Sequence, residues 1–312
     1  MKKLLLYAAV CFAAVCAQAQ ETKIPVAVYF PEQIESVPET AVKSLTSKLT
    51  AAAAQCGMGV IDDFAQFYLT CDASVVSRDV VPGAPPKYSQ SVDLTLYVID
   101  VFSKKIFNSV TISTRGIGNS EAKAYIACFR NITPANKDVQ SFLRKTNEQI
   151  VSYYEGQREN IISIARALAK VYKYDEALFR LSLYPEACAG YDRIVEEATL
   201  IYSKYIDDKA NRNLAKARAV WNAGQDMSAA AEAGEYLAEI MPEASCYNDA
   251  MALAKEIKAR VGSDIDYFRK IEERDNAQQH EESMARINAW REVGVAFGKN
   301  QKSHTYKEAW IY

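Results

Sequence analysis

The chain contains very little histidine, with only His280 and His304 among its 312 residues. Neither has a cysteine or a carboxylate at the spacing of a zinc site, and a Ser-His-Asp or Cys-His hydrolase needs a histidine inside a structured domain. The scarcity therefore argues against both kinds of enzyme. Gly116-Ile-Gly118 lacks the Gly-Lys-Ser/Thr that completes a phosphate-binding loop, and it is interpreted as a strand-to-helix turn. No residue set predicts a cofactor or a metal.

An excess of positive charge is also absent. The chain has 37 basic and 39 acidic residues and a formal net charge of −2 at pH 7. A protein without a basic excess has little with which to neutralise phosphates, so we expect no nucleic-acid partner. No apolar run after residue 20 approaches the roughly 20 residues that a membrane-spanning helix needs, so we expect no integral membrane span.

Paired cysteine motifs are missing as well, because no Cys-x-x-Cys occurs. Beyond residue 20 an odd number of cysteines remains, so at least one thiol is free or pairs with another chain. Hydrophobic residues make up 49% of the chain, which is enough to build cores without disulfides. We expect buried thiols, with a Cys188–Cys246 bridge as the alternative. The cysteines concerned are Cys56, Cys71, Cys128, Cys188 and Cys246.

The start of the chain has the layout of an export signal. A short basic segment, Met1–Lys3, precedes an unbroken apolar run from Leu4 to Val15, and Ala17-Gln18-Ala19 is a small-x-small cleavage site. This layout predicts a cleaved signal peptide over residues 1–19, and therefore a periplasmic or extracellular protein. Cys11 and Cys16 each follow a valine rather than the small residue of a lipoprotein signal, which argues against lipidation.

Residues 20–155 predict one α/β domain. The apolar run at 24–30, IPVAVYF, predicts a buried strand, and 38–57 predicts a helix that ends at glycine. Ser120 is the predicted N-cap of a second helix. Alternating apolar residues predict further strands, and helical spacing predicts one more helix; the strands lie in 64–81, 92–102 and 106–115, and the helix in 139–154.

The segment 92–131 carries a resemblance. It contains the strand LTLYVID at 94–100, a tight turn, a returning strand, GIGNS at 116–120 and an Ala-rich helix. With the elements before it, over residues 24–155, this order resembles the periplasmic domain of the CsgG/LpoB/TolB-N envelope proteins. The resemblance implies a non-catalytic adaptor that binds proteins at the envelope. The chain has Ser103-Lys104-Lys105 where the family often has Thr-Gly, and it shows no membrane-spanning hairpins, so pore formation is not implied.

Residues 156–262 predict an all-α domain of helical hairpins. A second, poorer hairpin spans Leu214–Pro242, with Arg218 where a small residue belongs. The pattern resembles a divergent tetratricopeptide-like stack, and an ordinary helical bundle is the alternative. The first hairpin has bulky and small residues at the repeat positions, namely Ile161, Ile164, Ala165 and Leu168, then Tyr174, Ala177, Leu181 and Tyr184.

The last two segments predict a long charged amphipathic helix over 263–298 and a tail over 299–312. The helix is polar nearly all round in its middle and has an apolar stripe at Met284–Val293, which either docks a partner or packs on its own bundle. The tail is rich in aromatic residues for a chain end, so it either docks or frays.

Together these patterns predict an α+β protein, with an N-terminal α/β sandwich on a mixed sheet followed by helical hairpins. The preferred function is an exported, non-catalytic scaffold that binds envelope or secreted proteins through an exposed groove lined with Tyr, Leu and Ala. The alternative is an exported hydrolase with a carboxylate-based site between the domains, although the acidic pairs Asp62-Asp63 and Asp207-Asp208 are interpreted as a turn and a helix start. The predicted partner-contact residues are Tyr174, Tyr184, Trp221, Tyr247, Met284, Trp290 and Trp310.

Overall fold

The computed structural model describes residues 23–30, 37–61 and 65–261. This part of the chain forms two compact units, the first from 23–153 with Pro185–Ala189, the second from Tyr154–Tyr184 with 190–261. Strands precede a series of helices, which confirms the α+β class. The predicted leader, the pair Asp62-Asp63, the predicted helix 263–298 and the tail 299–312 lie outside the described residues.

The first unit is built on a four-stranded sheet in the order β1-β2-β3-β4. The strand β1 runs parallel to β2, while β2, β3 and β4 form an antiparallel meander, so the mixed sheet is confirmed. The strands are β1 (Ala27–Val28), β2 (Phe67–Val81), β3 (Lys87–Asp100) and β4 (Lys105–Gly118).

Alternation along the strands gives the sheet one apolar and one polar face. Leu96 of β3 is buried and lies opposite Cys71 on one side and Val110 on the other, and all three point to the core. On the opposite face the hydroxyls of Thr95 and Thr111 lie 2.9 Å apart. A sheet that is packed on one face and solvated on the other shows this period of two.

The predicted strand at 24–30 is shorter than expected. Only Ala27–Val28 pairs with β2, and Val26 forms an isolated bridge with Gly59. The run is nevertheless buried at Ile24, Val26 and Ala27. The apolar run therefore predicted the burial of these residues correctly. The number of residues that pair with β2 depends on where β2 begins.

Two helices, α1 (Glu39–Gln55) and α2 (Glu121–Cys128), and a 3-10 turn at Phe129–Asn131 complete the sheet-bearing part of this unit. The turn after α1 places Gly57 at φ 72°, a conformation that glycine adopts without steric cost. The predicted cap at Ser120 is confirmed, because its hydroxyl accepts a hydrogen bond from the backbone N–H of Lys123 at 3.3 Å.

The interpretation of Gly116-Ile-Gly118 as a strand-to-helix turn is wrong, because these residues belong to β4 and end it. A Cβ atom at Gly116 would clash with the backbone nitrogen of Cys128 and the carbonyl oxygen of Ala124, and would lie 2.7 Å from the carbonyl carbon of Ala127. The glycine therefore allows the backbone of α2 to pack directly on the strand.

The helix predicted over 139–154 is longer than expected. One helix, α3 (Lys137–Lys170), runs for 34 residues without interruption, so the predicted domain boundary at 155/156 lies inside a helix, two residues from the division between the compact units at 153/154. No proline occurs in this range, and the single glycine, Gly156, costs only about 1 kcal/mol in a helix.

The rest of the second unit is helical. Its helices are α4 (Tyr174–Ser182), α5 (Tyr191–Gly224), α6 (Met227–Ala238) and α7 (Tyr247–Val261). The pair Asp207-Asp208 lies in the middle of α5, so its interpretation as a helix start is wrong. A regular two-helix repeat is 34 residues long. The single helix α5 already has that length, so it is too long to be one of the two helices of a regular repeat. Ile164, placed at a repeat core position by the sequence, is exposed, and its neighbour Ile162 is buried instead.

None of the five cysteines in the described residues forms a disulfide, and four of the five are buried. Buried thiols are thus confirmed, and the alternative of a Cys188–Cys246 bridge is wrong. Burial raises the pKa of the Cys71 thiol, and the nearby Asp72 adds to the effect. Of the described helices, none combines the length and the apolar character required to cross a bilayer.

Candidate functional site

A groove of about 160 Å³ opens on the second unit, and α5 supplies most of its wall. The helix contributes side chains one and two turns apart, which is the spacing of a single helical face. The far wall comes from Glu239, at the end of α6, and from Met241 in the loop that follows. The α5 residues are Tyr202, Tyr205, Ile206, Lys209 and Ala210.

Polar contacts hold the two walls together. The carboxylate of Glu239 accepts a hydrogen bond from the amide Nδ2 of the buried Asn213 at 3.0 Å and lies 3.6 Å from the ammonium of Lys209. The side chain of Asp207 accepts the backbone N–H of Ser245 at 2.7 Å. The loop that carries Met241 is therefore fastened to α5 at Glu239, which precedes it, and at Ser245, which follows it.

A series of tyrosine rings extends from the groove, and we call it the tyrosine row. The ring of Tyr205 lies 6.2 Å from that of Tyr202 and 5.8 Å from that of Tyr174, which in turn lies 6.2 Å from the ring of Tyr172. One of these pairs is edge-on and two are tilted, and all three lie within the range of centroid distances at which aromatic rings attract one another. The row thus joins a buried ring to the exposed surface.

Tyr172 forms the exposed end of the tyrosine row, with 65% of its surface open to solvent. Its φ is 61°, in the left-handed region that bulky residues seldom adopt. The guanidinium of Arg212 lies 5.8 Å from its ring and pairs with Asp208 at 2.6 Å. An aromatic side chain held in a costly backbone conformation at the surface is a feature often found at functional sites.

Tyr174 is 8% exposed, and burial raises the pKa of its hydroxyl, with the negative charge of Asp208 as a further cause. The phenol is therefore neutral at physiological pH. It can serve as a hydrogen-bond donor, and its ring packs against the ring of Tyr205.

The predicted partner-contact residues lie in different surroundings. Tyr174 belongs to the tyrosine row, but Tyr184 and Trp221 are each only 1% exposed, so they pack in the interior of the second unit. The ring of Tyr184 packs edge-on against Tyr154, and the indole N–H of Trp221 donates to Glu256 at 3.1 Å. Tyr247 is half-buried against the cluster formed by α5, α6 and α7. Met284, Trp290 and Trp310 lie outside the described residues.

The residues that line this groove were not among the partner-contact residues predicted from the sequence. The signal was present as Tyr202 and Tyr205, which are three residues apart on one helix face. Nothing in the sequence pairs that face with Glu239 and Met241, because the pairing depends on how α6 folds back on α5. No group of His, Cys, Asp and Glu side chains in the described ranges is arranged to hold a metal ion.

No protein-family model and no curated protein matches the chain. Among solved structures it is similar to a minor lipoprotein from Acinetobacter baumannii, at 14% identity and a TM-score of 0.25, over 40% of this chain and 91% of that one. It is also similar to a candidate lipoprotein from Caulobacter crescentus, at 11% identity and a TM-score of 0.23, over 42% and 91%. A hypothetical protein from Chlamydia trachomatis is similar at 13% identity and a TM-score of 0.18, over 41% and 96%.

At these TM-scores the likenesses assign neither a family nor an activity to the chain. The resemblance to the CsgG/LpoB/TolB-N proteins stays a prediction. The prediction that the chain carries no lipid is not tested by these likenesses and also stays a prediction.

Proposed function

We propose that this protein is an exported, non-catalytic scaffold of the bacterial envelope whose tyrosine-lined groove binds a partner protein. The observation that carries the proposal is the groove between Tyr202, Tyr205 and Met241, continued at the surface by the tyrosine row. Tyrosine and methionine are enriched in protein interfaces, where they supply large apolar contact areas.

The size and chemistry of the groove favour one kind of occupant. A space of about 160 Å³ suits a single large apolar side chain rather than a whole helix. The Lys209–Glu239 ion pair at the rim provides a donor and an acceptor for the backbone of the segment that carries this side chain. The expected ligand is therefore a polypeptide segment of an envelope or secreted protein that inserts a leucine, methionine or phenylalanine.

Export is part of the proposal and rests on the leader. Its removal after Ala19 would give a mature chain that begins at Gln20. N-terminal sequencing of the protein recovered from the periplasm or medium tests this step. A chain that retains Met1 and remains in the cytosol would contradict it.

Site-specific photocrosslinking in intact cells tests the groove. A benzoylphenylalanine in place of Met241, which is 36% exposed, should give a crosslinked product that contains a second, different protein. The same group in place of Leu200 provides the matched control, because Leu200 is an exposed apolar residue of α5 that does not line the groove.

We expect the product from position 241 and not from position 200, and we expect Tyr172→Ala to weaken it. Equal products from both positions, or none from position 241, would show that the groove is not a docking site.

A further inference from the structure

Four buried residues with polar side chains lie between the sheet and α2 in the first unit, and we call them the polar cluster. Gln90 of β3 and Thr114 of β4 belong to the core face of the sheet, while Tyr125 and Cys128 belong to α2. None of the four is more than 7% exposed. Such side chains are uncommon in an interior unless each has a hydrogen-bond partner.

The contacts of α2 bring the members of the polar cluster together. Gln90 lies directly opposite Gly116 in the ladder between β3 and β4, and the backbone of α2 packs on that glycine. The thiol of Cys128 lies 3.4 Å from the carbonyl oxygen of Gln90. Tyr125 precedes Cys128 by three residues, so the two side chains share one face of the helix. The side chains of Gln90 and Tyr125 are therefore enclosed by the same contact between strand and helix.

Half of the polar cluster has its hydrogen bonds and half does not. The hydroxyl of Thr114 donates to the carbonyl oxygen of Val92 at 3.1 Å, and the thiol of Cys128 donates to that of Gln90. The side-chain amide of Gln90, both its nitrogen and its oxygen, and the hydroxyl of Tyr125 are fully buried and have no hydrogen-bond partner among the described residues. Polar groups of this kind are commonly satisfied by internal water.

We propose that at least one internal water molecule is bound under α2, where it forms hydrogen bonds with the side-chain amide of Gln90 and the hydroxyl of Tyr125. Water both donates and accepts, so one molecule serves both groups. The surroundings favour water over an ion, because the polar cluster is neutral. Burial raises the pKa of the Cys128 thiol, which keeps it protonated at physiological pH. The cluster thus has no charge to offset that of a buried ion.

The two neighbours of Gln90 in the sheet close the site on either side. At Gly116 even a Cβ atom would clash with the backbone of α2, so no larger ligand passes on that side. On the other side Arg78 of β2 lies opposite Gln90, and its guanidinium pairs with the carboxylate of Glu121 at 2.7 Å. Because Glu121 is the first residue of α2, this ion pair joins β2 to the start of the helix. The proposed site lies in the first unit and does not depend on the groove.

Water-selective NMR on the full mature chain tests the site. We expect a cross-peak between water and the side-chain amide of Gln90, with the sign that a tightly held water gives. Tyr125→Phe removes one of the two partners and should remove most of the intensity of this peak. Tyr68→Phe is the matched control, because its hydroxyl accepts the N–H of Ala65 at 3.1 Å instead, and it should leave the peak unchanged. Absence of the peak in the wild type, or a peak that Tyr125→Phe does not weaken, would overturn the proposal.

Unfolding equilibria provide an independent test. Gln90→Leu or Tyr125→Phe alone would leave the other group incompletely paired, so each should raise the equilibrium constant for unfolding about five- to thirty-fold. The double variant should raise it by less than the product of the two single effects, because both groups bind the same water. Circular dichroism confirms that each variant is folded.

Two results of this test would contradict the shared water. One is a lower equilibrium constant for both single variants, which is the result for buried groups that have no water to lose. The other is a double variant that gives the full product of the single effects, since this would show that the two groups act separately.

Discussion

The close packing of α2 on β4 makes a quantitative prediction for Gly116→Ala. The added methyl group would clash with backbone atoms of Ala124 and Cys128 and lie 2.7 Å from the carbonyl carbon of Ala127. These atoms belong to the helix backbone, so no side-chain rotation relieves the overlap. The helix must move as a body, against the Ser120 cap and the 3.4 Å contact between the Cys128 thiol and the carbonyl oxygen of Gln90.

Overpacking of a well-packed interior costs about 1–3 kcal/mol, and we expect Gly116→Ala to lie near the upper end because only backbone is available to yield. The same substitution at Gly156 is the matched control. Nothing lies within 4 Å of a Cβ at that position, in the middle of α3. Alanine there should stabilise the protein by about 0.5–1 kcal/mol through its higher helix propensity.

Urea unfolding at pH 7, followed by circular dichroism, gives both free energies of unfolding. Hydrogen exchange should show that Gly116→Ala lowers the protection of backbone amides in β3, β4 and α2. A Gly116→Ala variant whose free energy of unfolding lies within about 0.5 kcal/mol of the wild type, the usual range of a neutral surface change, would contradict this close packing. So would a Gly156→Ala variant that is the more destabilised of the two.

Three further predictions concern a cap and two thiols. Asp226→Ala removes the side chain that accepts the N–H of Ala229 at 2.8 Å at the start of α6, and should lower the free energy of urea unfolding by about 1 kcal/mol; an unchanged midpoint would contradict this. Burial raises the pKa of the Cys71 thiol above its ordinary 9.0, so as the pH rises the thiol loses its proton in the unfolded chain before it does so in the folded protein. Below pH 9 this thiol therefore leaves the free energy of unfolding unchanged. Above pH 9 it lowers the free energy of unfolding by about 1.4 kcal/mol per pH unit. Cys71→Ala should flatten this alkaline decline in pH-dependent urea titrations, and an unaltered slope would count against the assignment. Cys56 is only half-buried, so a thiol reagent should modify one cysteine of the folded chain quickly, and Cys56→Ser should remove that fast phase.

Much of the secondary structure could be predicted because it depends on neighbours along the chain. The period of two in β3 and β4, the helical spacing in α1 and the Ser120 cap are local properties, and the structure confirms them. The prediction failed where a local signal has two outcomes. Closely spaced glycines mark some turns, but Gly116 and Gly118 lie at the end of β4. An acidic pair begins some helices, but Asp207-Asp208 lies inside α5.

The candidate site depended on tertiary packing almost entirely. Tyrosine content alone could not separate Tyr184, which is buried in the interior, from Tyr202 and Tyr205, which line a groove. The difference arises because α6 folds back on α5 and brings Glu239 and Met241 to one face of it.

The sequence by itself determined the α+β class, the alternation of the sheet, the scarcity of histidine and the absence of a basic excess, because these follow from composition and local periodicity. Only the tertiary structure decided which tyrosines reach the surface, that Gly116 provides room for a helix, and that β4 is the last of the described strands of its sheet. Each of these depends on which distant segments become neighbours, and that information is not contained in any local pattern.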